Sequence, residues 1–421
     1  MSKLKKSLSF LMKKMTASFT RDSLLAAFFF FLVLCSWYVL RPVRNEMAVQ
    51  NSEILPYLLA IGALVMLLLN PIYSWLASRR NLQGVLLGCY LFFISNLLGF
   101  ILLWGLFDLS SSKLLSQIFY VWCNVYSFFV VSIFWVVIIN LFRGDSAATA
   151  FGVIAAGGSL GAFLGSEISK RLAPTFNDSG IILFTVMAII FLSLALVTGS
   201  MLLRRFSLSI QDINEPSGGS SFDAIKNLVT TSQIRSIGLY MYLWTALMTI
   251  HWVTSIDIVN TWSSDGGDRI IFFSKIEQTV TILTLFTQFF LTSLIISFAG
   301  ARNILMMYGL LFMVVFVGYF LFPRIEYVFL ITITLRLFEY GVNKPTREVI
   351  FSYLKKVDRY KSTVLVDTFL VRLGDFSGSV FIVTAKSFGM VFSQVPLIAI
   401  PLAGALAFFG YKIPPREKID L

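Results

Sequence analysis

Charged residues stand where charges are expensive in this chain. A long apolar run ends in WYVLRPVRNEMAV, where Arg41 and Arg44 are three residues apart and share a helix face, with Pro42 between them able to loosen the backbone. Far along the chain, LRLFEYGVNKPTREVIF carries Arg336, Glu339, Asn343 and Arg347 at spacings that line one helical stripe. Lys344 and Glu348 form a second pair beside it, and Pro345 removes a hydrogen bond to residue 341, itself a glycine. The next apolar run adds Asp367, Arg372 and Asp375, and an earlier one His251 and Asp257. An ionisable side chain at the centre of a membrane helix costs about 2.5 to 3.5 kcal/mol, so it faces a cavity or a partner. Guanidinium groups grip phosphate or carboxylate through two parallel hydrogen bonds. The chemistry on offer is therefore anion binding by Arg41, Arg44, Lys344 and Arg347, with Glu339, Glu348, Asp367, Arg372 and Asp375 coupling or balancing charge. The competing reading is that these charges pair across helices, Arg336 with Glu339 or Asp367 for example, and only lock a bundle. His251, beside Trp252, is a packing residue or a proton carrier.

The elements that hold these residues are membrane helices. Of 421 residues, 57% are hydrophobic and 13% charged, against about a quarter charged in soluble domains, and the mean hydropathy is +0.81. A span needs about 20 apolar residues, and twelve such runs are found, at 24–43, 54–77, 84–107, 114–142, 148–170, 180–203, 237–261, 278–298, 302–322, 327–353, 362–386 and 391–411. The expected fold is all-α, with twelve transmembrane helices in two six-helix halves. In the fifth run Gly157, Gly161 and Gly165 recur every fourth residue, which puts them on one face where another helix can come close.

The net charge of +12 lies in short loops between apolar runs, which does not suit a nucleic-acid polymer. Lys5, Lys6, Lys13, Lys14, Arg79, Arg80, Arg143, Arg204, Arg205, Lys355, Lys356, Arg359 and Lys361 fall on the side that holds both termini, which makes that side cytoplasmic. Arg269 and Lys275 are placed in the opposite loop, before the eighth span. Residues 1–23 read as a retained basic cytoplasmic segment and 412–421 as a cytoplasmic tail; 204–236, with its EPSGGSSFD stretch, reads as a linker between halves at 24–203 and 237–411. Cys35, Cys89 and Cys123 lie inside apolar runs without metal-ligand spacing, so no metal and no cofactor is expected.

Three stretches together are more specific: LRPVRNEMAV, FGVIAAGGSLGAFLGS, and NKPTREVIFSYL continuing to KSTVLVDTFLVRLGDFSGS. They resemble the ATP/ADP translocase family of nucleotide transporters, a distant branch of the major facilitator superfamily found in plastids and intracellular bacteria. The resemblance covers most of the chain and is strongest between Pro345 and Asp367. It implies that Arg44 and Arg347 stand where the family has two lysines needed for transport, so both positions stay cationic. It also implies two departures: a family acid in span four aligns near Asn124, and one in span seven aligns with Thr249, with Val253 in place of the lysine that follows. Asn124 is counted with the expected substrate-binding residues.

The expected function is a secondary transporter that moves an anionic, phosphorylated or nucleotide-like solute by alternating access, as a monomer in a bacterial inner membrane. Without the two acids it need not exchange ATP for ADP. No GxxxxGK[ST] loop occurs, so energy would come from exchange or an ion gradient. A proton-coupled exporter of drugs, siderophores or amphiphiles is the second transport reading, and a non-transporting scaffold or sensor the reading of another class. An enzyme would need a nucleophile with its base, or a metal cluster, and neither is apparent.

Overall fold

The computed structural model describes residues 20–77, 81–105, 112–142, 145–206, 232–352 and 365–413. Helices follow one another throughout: α1 Arg21–Gln50, α2 Leu55–Ala77, α3 Leu82–Gly105, α4 Lys113–Leu141, α5 Asp145–Leu172, α6 Ile182–Phe206, α7 Ser232–Trp262, α8 Gly266–Phe290 and α9 Thr292–Leu321. Then come α10 Ile325–Phe338, a π-turn Glu339–Asn343, α11 Lys344–Ser352, a second π-turn Leu365–Leu370, α12 Val371–Ser387 and α13 Ile400–Lys412. Among the described residues, eight helical stretches are long and apolar enough to cross a membrane. Four more stand where the remaining expected spans lie: α7, residues 325–352, residues 365–387 and residues 395–412. The first three of these carry polar and charged groups or π-turns, which lowers their apolar signal, and the fourth is interrupted at Ala399.

Two compact units emerge. One comprises residues 1–46, 73–214 and 265–281, the other residues 47–72, 215–264 and 282–421. Each is discontinuous in sequence: most of α2 belongs to the second unit and the first part of α8 to the first. The expected linker 204–236 is described only at its ends, as the last turn of α6 and the first turn of α7, and 1–19 and 414–421 lie outside the described residues.

In the first unit the glycine stripe of α5 lies against α1. A side-chain carbon on Gly157 or Gly161 would overlap the backbone carbonyl of Ala27 or Phe31, and one on Gly165 would come 2.7 Å from the carbonyl oxygen of Cys35. The register is one glycine per turn against one carbonyl per turn, and the Cys35 thiol donates to the Gly161 carbonyl at 3.3 Å. Aromatic rings fill the space beside this seam, with Phe30 stacked on Phe134 at 4.2 Å and Phe29 edge-on to the same ring at 5.0 Å. Ser36 ties α1 to α4 and α6, accepting from the Tyr126 hydroxyl and donating to the Ala188 carbonyl at 2.8 Å.

One boundary differs from the expected layout. The eighth helix begins at Gly266, twelve residues before the expected 278, and Arg269 and Lys275 lie within it rather than in a loop. Asp265 caps the helix, accepting from the Asp268 N–H at 3.0 Å. The early turns look too charged for a span, yet Arg269 and Glu277 are buried because each meets an opposite charge. The stretch α9 is broken at Gly300, whose φ of 73° and ψ of 150° suit a residue without a side chain, so the turn to the ninth span falls inside it.

Candidate functional site

The polar cluster of the first unit is built on the end of α1. Pro42 is buried inside the helix and has no N–H, so the turn around it is less tightly bonded. Arg44 donates from Nη2 and Nε to the Asn45 amide oxygen, at 2.6 and 3.2 Å, and from Nη1 to the Asn124 amide oxygen at 2.7 Å. Asn124 is itself fixed, its amide nitrogen donating to the Tyr120 carbonyl at 3.2 Å, while the Tyr120 ring lies 5.4 Å beneath the Arg44 guanidinium. Amide oxygens of this kind orient a guanidinium without adding counter-charge. Arg41, one turn earlier, takes a different partner: its Nε lies 3.1 Å from a Glu277 carboxylate oxygen, and its Nη1 donates to the Tyr38 hydroxyl at 3.0 Å.

Five residues beyond Arg41, Glu46 accepts two hydrogen bonds from Arg269, at 2.8 Å from Nε and 2.6 Å from Nη2. The side chains are 0% and 8% exposed, so this fork is sealed from water. Glu46 and Arg269 form an outer rung and Arg41 and Glu277 an inner one. Residue numbers rise along α1 as they fall along α8, so the two helices run antiparallel with two ionic rungs between them. Asn45, Glu46, Arg269 and Glu277 were not among the expected site residues. The available signal was the two charges themselves, Arg269 and Glu277, set in a run otherwise rich in Ile and Phe.

The cluster of the second unit is built on the first π-turn. Arg347 grips Glu339 through both nitrogens, Nη2 at 2.8 Å and Nη1 at 3.2 Å from its two oxygens, and Asn343 donates to the same carboxylate at 2.6 Å. The Tyr240 hydroxyl donates to the Asn343 amide oxygen at 2.9 Å, and the Arg347 guanidinium lies 5.1 Å over the Trp244 ring. Trp244 donates to the Tyr308 hydroxyl at 3.3 Å, and Tyr308 in turn to the Leu335 carbonyl at 3.0 Å. Residues eight apart on a regular α-helix are turned about 80° from each other, whereas seven apart they nearly align. The π-turn absorbs one residue, which brings Glu339 and Arg347 onto one line. Pro345 offers no N–H to this turn. The Tyr340 carbonyl instead accepts from the Gln288 side chain at 3.0 Å, and the Gly341 carbonyl from the Thr292 hydroxyl. The expected kink is thus a π-turn whose loose carbonyls are bonded by neighbouring side chains.

The other expected residues are dispersed. Arg336 is buried with its guanidinium 5.8 Å over the Tyr340 ring, and Glu339 pairs with Arg347. Lys344 and Glu348 are exposed on α11. Arg372 donates to Asp375 at 3.0 Å, and the Thr249 hydroxyl reaches the other Asp375 oxygen at 3.3 Å. Asp367 lies on the second π-turn, and its side chain is outside the described residues. His251 is 1% exposed and packed among hydroxyls, with Nδ1 2.7 Å from the Tyr319 oxygen and Nε2 3.5 Å from that of Thr332. Among the described residues no group of His, Cys, Asp and Glu is arranged to hold a metal.

No family model matches the chain, and no curated protein does. Solved structures do. A D-xylose-proton symporter superposes with a TM-score of 0.65 at 12% identity, over 96% of this chain and 98% of that one. A POT family transporter in complex with 5-aminolevulinic acid gives 0.65 at 13% identity, over 94% and 97%. A mutant form of the nucleoside transporter NupG gives 0.61 at 15% identity, over 94% and 100%. At these identities the likeness is one of fold. The chain has an all-α, major-facilitator-like membrane fold.

Proposed function

We propose that the chain is a secondary transporter that carries an anionic, phosphorylated or nucleotide-like solute by alternating access between two six-helix halves. We place it as a divergent relative of the ATP/ADP translocases, working as a monomer in a bacterial inner membrane with both termini in the cytoplasm. Transport is supported by a fold shared with proteins described as sugar, peptide and nucleoside carriers. The observation that carries the anion reading is the setting of Arg44. Near the position where the translocases have an acid, this chain has Asn124, whose amide oxygen holds the guanidinium at 2.7 Å and brings no charge of its own. A second basic group, Arg41, stands one turn away. In the other cluster Arg347 is bonded to Glu339, so we assign this pair to coupling: it can exchange its internal partner for solute or a proton during the cycle.

The test is a thermal-shift screen of detergent-purified protein against nucleotides, sugar phosphates, carboxylates and amphiphiles, since a ligand of the native state raises apparent stability. Phosphate-bearing ligands are expected to stabilise the wild type and to lose that effect in Arg44→Ala. Amphiphile hits indifferent to Arg44 would overturn the anion reading and favour the exporter.

A further inference from the structure

We infer that Glu277 is the resident counter-ion of the anion site, holding Arg41 in the empty protein and giving it up when the solute arrives. This rests on the anion reading of Arg41 and Arg44. Glu277 comes from α8, far in sequence from α1, and its carboxylate is 3% exposed where it meets Arg41 at 3.1 Å. The Arg41 side chain is 19% exposed, while the outer rung, Glu46 with Arg269, is 0% and 8% exposed. The two rungs therefore differ in kind. The outer one is a two-point fork closed to water, suited to a permanent tie. On the inner one Arg41 reaches the carboxylate through Nε, with Nη1 turned to a neutral tyrosine hydroxyl. A phosphate or carboxylate bridging Arg41 and Arg44 presents the same oxygen chemistry as Glu277 and competes with it directly. Occupancy of the site and the inner tie between α1 and α8 are then mutually exclusive. The solute pulls Arg41 away from α8, which converts binding into a loosened helix contact.

The linkage gives this a measurable form, because a contact present only in the empty state opposes binding by as much as it stabilises that state. In Glu277→Gln, thermal stability without ligand is expected to fall, while inorganic phosphate, titrated at constant ionic strength with chloride as control, binds about tenfold more tightly. At saturating phosphate the melting temperatures of mutant and wild type should converge. In Arg41→Gln the empty protein loses the same contact but phosphate binding weakens. If Glu277→Gln does not yield folded protein, Glu277→Asp, with its shorter reach, is expected to shift both quantities the same way by less. An equal loss of stability with and without phosphate, at unchanged affinity, would overturn the inference while leaving the anion site standing. Weaker phosphate binding in Glu277→Gln would overturn it too, by making Glu277 a support of the site. No stabilisation of wild type or mutant by phosphate, sugar phosphates or carboxylates would overturn the anion reading and this inference together.

Discussion

Replacing Arg269 by Met takes from the Glu46 carboxylate, at 0% exposure, the two hydrogen bonds that the guanidinium gives it at 2.6 and 2.8 Å. Breaking a buried pair by removing one partner costs about 3 to 5 kcal/mol, chiefly because the surviving charge is stranded. Glu46→Leu takes the carboxylate from Arg269 in the same way, although the guanidinium is slightly more exposed, so its loss should sit at the lower end of that range. Removing both charges at once in a shape-conserving way, Glu46→Leu with Arg269→Met, removes the stranding. Such exchanges are often neutral or stabilising by about 1 to 4 kcal/mol. The double mutant is therefore expected to lie within about 1 kcal/mol of the wild type, for a coupling of about 5 kcal/mol or more. Reversible unfolding in mixed detergent micelles, followed by tryptophan fluorescence, supplies the three differences for the cycle. Single losses below about 1 kcal/mol, or a double mutant as unstable as the sum of the singles, would refute the assignment of a sealed ion pair at this place.

Gly161→Leu drives a side chain into the Phe31 carbonyl and should abolish folded yield on fluorescence-detected size exclusion, whereas Gly152→Ala, with open space around it, should be neutral. Thr292→Val removes the hydroxyl that bonds the Gly341 carbonyl and should cost about 1 to 3 kcal/mol in the same unfolding assay. Pro345→Ala in that background restores a backbone donor and should return part of the loss. Asp265, outside the spans, has its pKa lowered by the Asp268 N–H and the Asn177 amide that donate to it. A lowered carboxylate stabilises the fold above its unfolded value, and that contribution disappears as pH falls through the folded one. Asp265→Ala should thus melt below the wild type at neutral pH, with the gap closing as the pH falls through the carboxylate range.

Much of the membrane layout was legible because span length is a property of local composition. The glycine stripe at 157, 161 and 165 was legible for a similar reason, since close approach needs small residues at one-turn spacing, and the structure sets that stripe on the carbonyls of α1. The start of α8 was not. Its charges look like loop residues until each is paired, and the partner of Arg269 lies 223 residues away in sequence. Glu277, one residue before the expected span, was missed for the same reason. In the 336–347 stripe the spacing announced a shared face, and Glu339, Asn343 and Arg347 do meet. Which acid Arg347 takes was not legible, because the pairing depends on a π-turn that shifts the register by one residue. Lys344 and Glu348 obey an equally good spacing, but on a face that is exposed.

The central claim, that Arg44 carries the charge of the solute, is tested most directly in proteoliposomes on a solid-supported membrane, where rapid addition of an anion displaces charge if the protein binds or moves it. The wild type should respond to phosphate-bearing or carboxylate solutes and not to neutral sugars or nucleosides, and Arg44→Gln, reconstituted to the same density, should be silent. Equal currents from Arg44→Gln and the wild type, or currents evoked by neutral solutes alone, would contradict it.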